Sequence, residues 1–391
     1  MNKFLSFSSD DKEHFISLPL SKSVRARELV LDALAGVEID VETENDDIFV
    51  LSQALRDALN KDGCAVLDLH HSGTALRFMT AFCAVCAGEF LLTGSERLCE
   101  RPIKSLVDAL RQMGAEINYE GKEGFAPLRI KGCRLNGGCV TLDARVSSQF
   151  ASALMLISDK IEGGLEIEYD GDIASKSYIC LTDDVIKKYK KGLTCSGERD
   201  WSSATVWYAI MAVLQKGAFV FEGLSLDSLQ PDRRVVYVFE KLGVKTIAID
   251  AGIRIECSGN CVDRLEMDCE NIPDAVMNIV VAACLLDVKF ELRGVNTLRV
   301  KESDRIDVLL KEMRRCGYLL KYDEMGKICW LGDKCEVDED LRMKTYKDHR
   351  VAMAMAVLQL VLDIEIEEKD VVEKSYPLFW NEYAKLMIER L

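Results

Sequence analysis

The chain has 391 residues, 49% hydrophobic and 29% charged, with a net charge of −15. That length suits two domains, and the composition is globular rather than disordered. The acidic balance argues against non-specific nucleic-acid binding, which phosphate neutralisation drives, but it leaves room for a locally basic pocket. No apolar run is long enough to span a bilayer, and the start, Met1-Asn2-Lys3-Phe4 followed by polar residues, has no secretory core. A cytoplasmic protein without a membrane partner is therefore expected. The fifteen cysteines are odd in number and scattered from Cys64 to Cys335, as in a reduced protein. Cys83 and Cys86 lie in an apolar helical run, Cys257 and Cys261 flank an expected Ser-Gly-Asn turn, and no zinc site is expected.

In chain order, Ser21-Lys22-Ser23-Val24-Arg25-Ala26-Arg27 leads into a helix over 28–35. Ser21 or Ser23 can cap that helix, whose free N–H groups favour an anion. A second helix spans 49–60. His71-Ser72-Gly73-Thr74-Ala75-Leu76-Arg77 then opens an apolar helix over 78–87. Glu100-Arg101-Pro102-Ile103 follows, with Pro102 placed to start a helix. Ser147-Ser148-Gln149-Phe150 opens a helix over 151–157, and another spans 183–191. Asn271-Ile272-Pro273-Asp274 opens a helix over 275–286. Arg299-Val300-Lys301-Glu302-Ser303-Asp304-Arg305 comes next, and Lys347-Asp348-His349-Arg350 opens a helix over 351–362. Lys374-Ser375-Tyr376-Pro377 is last.

Three segments repeat one pattern: an amphipathic helix, a glycine stop, then two short strands. The helices span 105–113, 235–242 and 307–316, and Gly114, Gly243 and Gly317 end them. The paired strands are 115–119 with 128–130, 244–249 with 253–255, and 318–322 with 328–330. The helices over 49–60 and 183–191 read as shortened copies without a full strand pair. Two α/β domains of repeated units are expected.

Each polar motif alone is better explained as a capped helix with solvated charges. Together, at least four sit at helix N-termini, and if those ends converge they bind anions. Asp274 is a candidate base, and Glu302, beside Lys301, a candidate acid.

These segments, in this order, resemble the EPSP synthase family of enolpyruvyl transferases, from Leu18 to about Trp380. The resemblance implies a two-domain inside-out α/β barrel of repeated βαβαββ-type units. One domain would comprise 1–19 with 200–391, carrying both termini, Asp274, Glu302 and Arg350. The smaller one, 20–199, would carry Lys22, Arg101, Ser147 and the shortened repeats. It implies addition and elimination between phosphoenolpyruvate and shikimate 3-phosphate, with no metal or organic cofactor. No motif demands a partner chain, and a monomer is expected. By resemblance, Ser23, Arg27, Ser147, Ser148, Gln149, Ser175, Tyr178, Thr297 and Lys301 hold shikimate 3-phosphate. Lys22, Gly73, Arg101, Gln149, Arg305, His349, Arg350 and Lys374 hold phosphoenolpyruvate. Lys22, Asp274 and Glu302 are the implied catalytic residues.

The sequence departs from the family pattern in places. His71-Ser72 precede Gly73, Ala26 and Thr297 stand where the family usually has Asn, and Arg25 adds a charge. Two other readings fit the motifs: the sister transferase that acts on UDP-N-acetylglucosamine, and a homologue that binds without turnover.

Overall fold

The computed structural model describes residues 13–41, 45–60, 63–143, 147–171, 175–194 and 197–388. The chain divides into two compact units, Ser21–Gly197 and Met1–Leu20 with Glu198–Leu391.

Three four-stranded sheets share one order. In the unit Ser21–Gly197, strand Cys64–Asp68 pairs parallel with Gly88–Thr93. Leu128–Gly132 then pairs antiparallel with Gly88–Thr93, and Glu116–Tyr119 closes the edge. The other unit repeats this twice. One sheet runs Glu13–Phe15, Ala218–Glu222, Gly252–Cys261, Leu242–Ile249, and the other Arg264–Asp268, Lys289–Arg293, Ile328–Trp330, Lys321–Tyr322. Two further strand pairs are parallel only: Asn136–Leu142 with Glu162–Tyr169, and Arg342–Met343 with Glu365–Ile366. These repeats stop before the antiparallel pair.

The helices lie inside. Val276–Leu285 and His349–Leu358 are apolar on nearly every side, and almost all their side chains are buried. Together with Trp201–Leu214 they pack on one another beneath the two sheets. Strands Cys64–Asp68 and Arg264–Asp268 alternate buried and exposed, so their outer faces meet water. In the unit Ser21–Gly197 the helices Gly73–Val85 and Ser148–Ile157 form the corresponding core, around Phe78, Phe82 and Phe150. No described helix is long and apolar enough to cross a membrane. The α/β fold of repeated units is the one expected.

The glycine stops have a common cause. Gly114, Gly243 and Gly317 have φ of 95°, 84° and 94° just past helices Lys104–Gln112, Val235–Lys241 and Arg305–Arg315. A left-handed residue is needed there to turn the chain back into the sheet, and glycine takes it without a Cβ clash.

Some elements differ from the sequence reading. The first helix is Lys22–Ala35, because Ser21 caps it and draws the motif itself into the helix. Pro102 does not start a helix: Lys104–Gln112 begins after Ile103, which has no side-chain cap. Ser258-Gly259-Asn260 is not a free turn but a bulge in strand Gly252–Cys261, where the register shifts between Cys257 and Cys261. The strand read over 318–322 shrinks to Lys321–Tyr322, since Tyr318 pairs with Lys334 and its ring meets Trp330 edge-on.

Candidate active site

In the unit Ser21–Gly197, serines cap the helices that open three of the motifs. Ser21 Oγ accepts from Val24 N at 3.4 Å, Ser72 Oγ from Ala75 N at 3.3 Å and Ser147 Oγ from Gln149 N at 3.2 Å. The caps place Lys22 with Ser23, Gly73 with Thr74, and Ser148 with Gln149 in the first turns, at the positive ends of the helix dipoles. Gln149 Nε2 donates to Thr74 Oγ1 at 3.0 Å and so ties two of these ends together. Lys22 Nζ pairs with Asp47 Oδ2 at 2.9 Å.

Arg101 lies against Gly73. A Cβ on Gly73 would stand 2.2 Å from Arg101 Nη1 and 2.6 Å from Arg77 Nη1. Arg77 is held by the carbonyls of Gly73 and Pro102, at 2.9 and 3.1 Å. Burial, and then the nearby Arg101, push the Arg77 pKa well below its ordinary value. Two guanidinium groups this close repel each other, and an anion between them would relieve the repulsion.

Arg27 is placed differently. It is 3% exposed, with Nε on Thr182 Oγ1 at 2.7 Å, Nη1 on the Ser23 carbonyl, and Nη2 on Ser152 Oγ and the Tyr178 carbonyl. Burial lowers its pKa to about 10, with Tyr178 opposing. Each nitrogen is engaged within the fold, so Arg27 locks helix Lys22–Ala35 to helices Ser148–Ile157 and Lys176–Lys190. Ser175 precedes the last of these in a left-handed conformation, with φ 54°.

In the other unit, the candidate site residues gather around two centres, Glu302 and Arg305. Glu302 accepts from His349 Nδ1 and Lys374 Nζ, each at 2.9 Å. Burial opposes ionisation of Glu302, but His349, Lys374 and Arg305 outweigh it and hold the carboxyl well below the usual range. Arg305 is the second centre. Its Nε and Nη2 clasp Asp348 at 2.8 and 3.1 Å, and its Nη1 reaches Asp274 Oδ1 at 2.9 Å. Lys301 Nζ meets the same Asp274 oxygen at 3.2 Å. Burial disfavours the Arg305 charge, yet Asp348 and Asp274 more than compensate and raise its pKa. Arg350 is buried on the carbonyl and hydroxyl of Ser202. Thr297 Oγ1 is shut off from solvent and has no hydrogen-bond partner among the described residues.

Glu302, Asp348 and His349 bring ligand-type atoms within 4.8 Å of one another. They do not suit a metal ion. Asp348 is spent on Arg305, Ser303 Oγ and the Arg350 N–H, and Glu302 on His349 and Lys374. A cation there would face Arg305 and Lys374.

Four residues that the sequence reading left without a role belong to these clusters: Asp47, Thr74, Arg77 and Asp348. Thr74, Arg77 and Asp348 stood inside recognised motifs, but nothing in their spacing marked them as partners. Of the departures from pattern, Thr297 leaves its hydroxyl unpartnered among the described residues, while the others are accommodated. Arg25 pairs with Asp32 and Glu28, at 3.3 and 3.8 Å, and Ala26 is core. His71 is exposed.

The family model for EPSP synthase (3-phosphoshikimate 1-carboxyvinyltransferase) matches residues 16–383. The chain is 38% identical to a 3-phosphoshikimate 1-carboxyvinyltransferase of Bacteroides fragilis, across 95% of this chain and 94% of that one. It is 32% identical to one of Tolumonas auensis, across 96% of each. An EPSP synthase structure from Acinetobacter baumannii superposes with a TM-score of 0.71, covering 97% of both chains at 18% identity, a likeness of fold. With the motifs, the fold and these relatives in agreement, the chain belongs to the EPSP synthase (3-phosphoshikimate 1-carboxyvinyltransferase) family.

Proposed function

We propose that this chain transfers the enolpyruvyl group of phosphoenolpyruvate to the 5-hydroxyl of shikimate 3-phosphate, releasing phosphate. The observation that carries the reading is Glu302, a carboxylate kept ionised between His349 and Lys374. The transfer needs such a group. In addition, the hydroxyl oxygen bonds to C2 of phosphoenolpyruvate, the hydroxyl proton leaves, and the vinyl carbon gains a proton. In elimination, the resulting methyl group loses a proton, the double bond returns, and the C–O bond to phosphate breaks. Glu302, ionised at rest, takes the methyl proton. The Lys22 ammonium supplies the vinyl proton, and Asp274 takes the hydroxyl proton.

Both substrates are phosphorylated anions, and fixed cations supply most of the binding and the charge stabilisation. Arg101, beside Gly73 and Arg77, and Arg305, Arg350, His349 and Lys374 serve phosphoenolpyruvate. Ser147, Ser148, Gln149, Ser175 and Tyr178 serve shikimate 3-phosphate, with Ser23 and Lys301. Arg27 supports that set by fixing the helix that carries Ser23. The chain acts as a monomer in the cytoplasm, a setting supported by the free state of every described cysteine.

The test is phosphate release from phosphoenolpyruvate with shikimate 3-phosphate, with UDP-N-acetylglucosamine as the competing acceptor. Release with the first alone is expected. Release with the second alone would assign the sister reaction, and release with neither would leave a binding protein.

A further inference from the structure

Two consecutive residues without glycine's freedom take left-handed backbone just before Asp348-His349-Arg350. Tyr346 has φ 53° and Lys347 has φ 56°. A side chain makes this conformation costly, and a pair in succession persists only where surrounding contacts impose it. Lys347 is exposed, and among the described residues its side chain makes no hydrogen bond or ion pair that would impose it. Tyr346 does have one. Its hydroxyl donates to Glu312 Oε1, and Glu312 is 1% exposed on helix Arg305–Arg315. Glu312 Oε2 is fixed in turn by Arg315 Nη1 at 2.8 Å, and Lys311 Nζ lies 5.6 Å from the centre of the Tyr346 ring.

The turn decides where three site residues point. Asp348 N closes it on the Thr345 carbonyl at 2.9 Å, and Asp348 then caps helix His349–Leu358 by accepting from Arg350 N. From there Asp348 receives Arg305 and His349 reaches Glu302. Helix Arg305–Arg315 therefore holds the segment twice: at its first residue through Arg305 and Asp348, and two turns on through Glu312 and Tyr346.

We propose that Tyr346 is a positioning residue: its hydrogen bond to Glu312 holds the left-handed turn that sets Asp348, His349 and Arg350 for catalysis. This rests on the reading of the site given above. Tyr346 touches no reacting atom, so its effect is on the placement of His349 and Arg350 rather than on their chemistry.

Steady-state kinetics of Tyr346→Phe test it, with thermal unfolding measured alongside. The ring stays and only the hydroxyl goes. The expected result is a fall in kcat/KM for phosphoenolpyruvate of about tenfold, expressed in both kcat and KM. Adding Lys347→Asn, which tolerates left-handed backbone, recovers at least about a third of the lost activity in that double variant. A purely packing role for Tyr346 would not respond to the residue at 347. Unchanged kinetics in Tyr346→Phe, or a loss that Lys347→Asn leaves untouched, overturns the inference. If Tyr346→Phe does not fold, Glu312→Gln with and without Lys347→Asn is judged by the same recovery. Turnover by the unaltered chain is measured first: its absence would sink the reading of the site, whereas equal turnover by the unaltered and Phe chains would sink this inference alone.

Discussion

Lys22 Nζ stands 2.9 Å from Asp47 Oδ2, a carboxylate buried in the first turn of helix Asp46–Asn60. The ammonium is thus held by a group on a different helix from its own. Lys22→Ala should lower kcat at least about a hundredfold, the scale of a lost proton donor. Asp47→Asn should lower it less, about tenfold, because the ammonium remains but is no longer steered. Phosphate-release kinetics on both variants check this, and full activity in Lys22→Ala would remove the lysine from the mechanism.

Gly73 has no room for a methyl group, since Arg101 and Arg77 already fill that space. Gly73→Ala should displace Arg101 and raise KM for phosphoenolpyruvate about tenfold, equivalent to about 1.4 kcal/mol. The melting temperature should change little, because the arginine tip can move. An unchanged KM would show that Arg101 does not hold this substrate where it now lies.

Arg27 should behave as a structural residue as well as a supporting one. Arg27→Met removes a buried charge and takes one donor each from Thr182, Ser152 and the Ser23 and Tyr178 carbonyls. A loss of about 3 kcal/mol is expected in urea unfolding. Thr182→Val, which leaves the guanidinium Nε unpaired, should cost about 1–2 kcal/mol. Wild-type stability with lost activity in Arg27→Met would instead place the guanidinium on the substrate.

The depressed pKa of Glu302 makes a pH prediction. A carboxyl lowered in the folded state stabilises the fold above its unfolded pKa and loses that contribution as pH falls through the folded value. Lys374→Met removes one source of the depression. The melting-temperature gap between the two chains should therefore be full at neutral pH and shrink below about pH 4.3, the unfolded glutamate value. A gap that stays constant from neutral to acid pH would rule out this coupling.

Much of the fold could be read from local chemistry. Glycine stops are written within a few residues, and helices Lys104–Gln112 and Arg305–Arg315 were located to within a turn, whereas Lys22–Ala35 starts well before residue 28, where the sequence places it. Strand Cys64–Asp68 went unread, because its pattern is short and its partner Gly88–Thr93 lies beyond a helix. The same limit applied to the site. The cations were visible as motifs, but their counter-ions were not. Asp47 is on another helix from Lys22, and Asp348 is far along the chain from Arg305. Such pairs are made by packing, which no local period encodes. Arg27 shows the reverse: it looked like an exposed anion ligand at a helix start, and the fold turned it inward.

Strand Glu13–Phe15 pairs with Ala218–Glu222, in register Glu13 with Ala218. On the order of 200 residues separate the partners, so at usual synthesis rates the first strand emerges about 10–40 s before the second exists. Until then its sheet has no second member. Everything needed for the core of Ser21–Gly197 is made in that interval. The order of synthesis therefore favours one half maturing while the other waits for its first sheet to be completed.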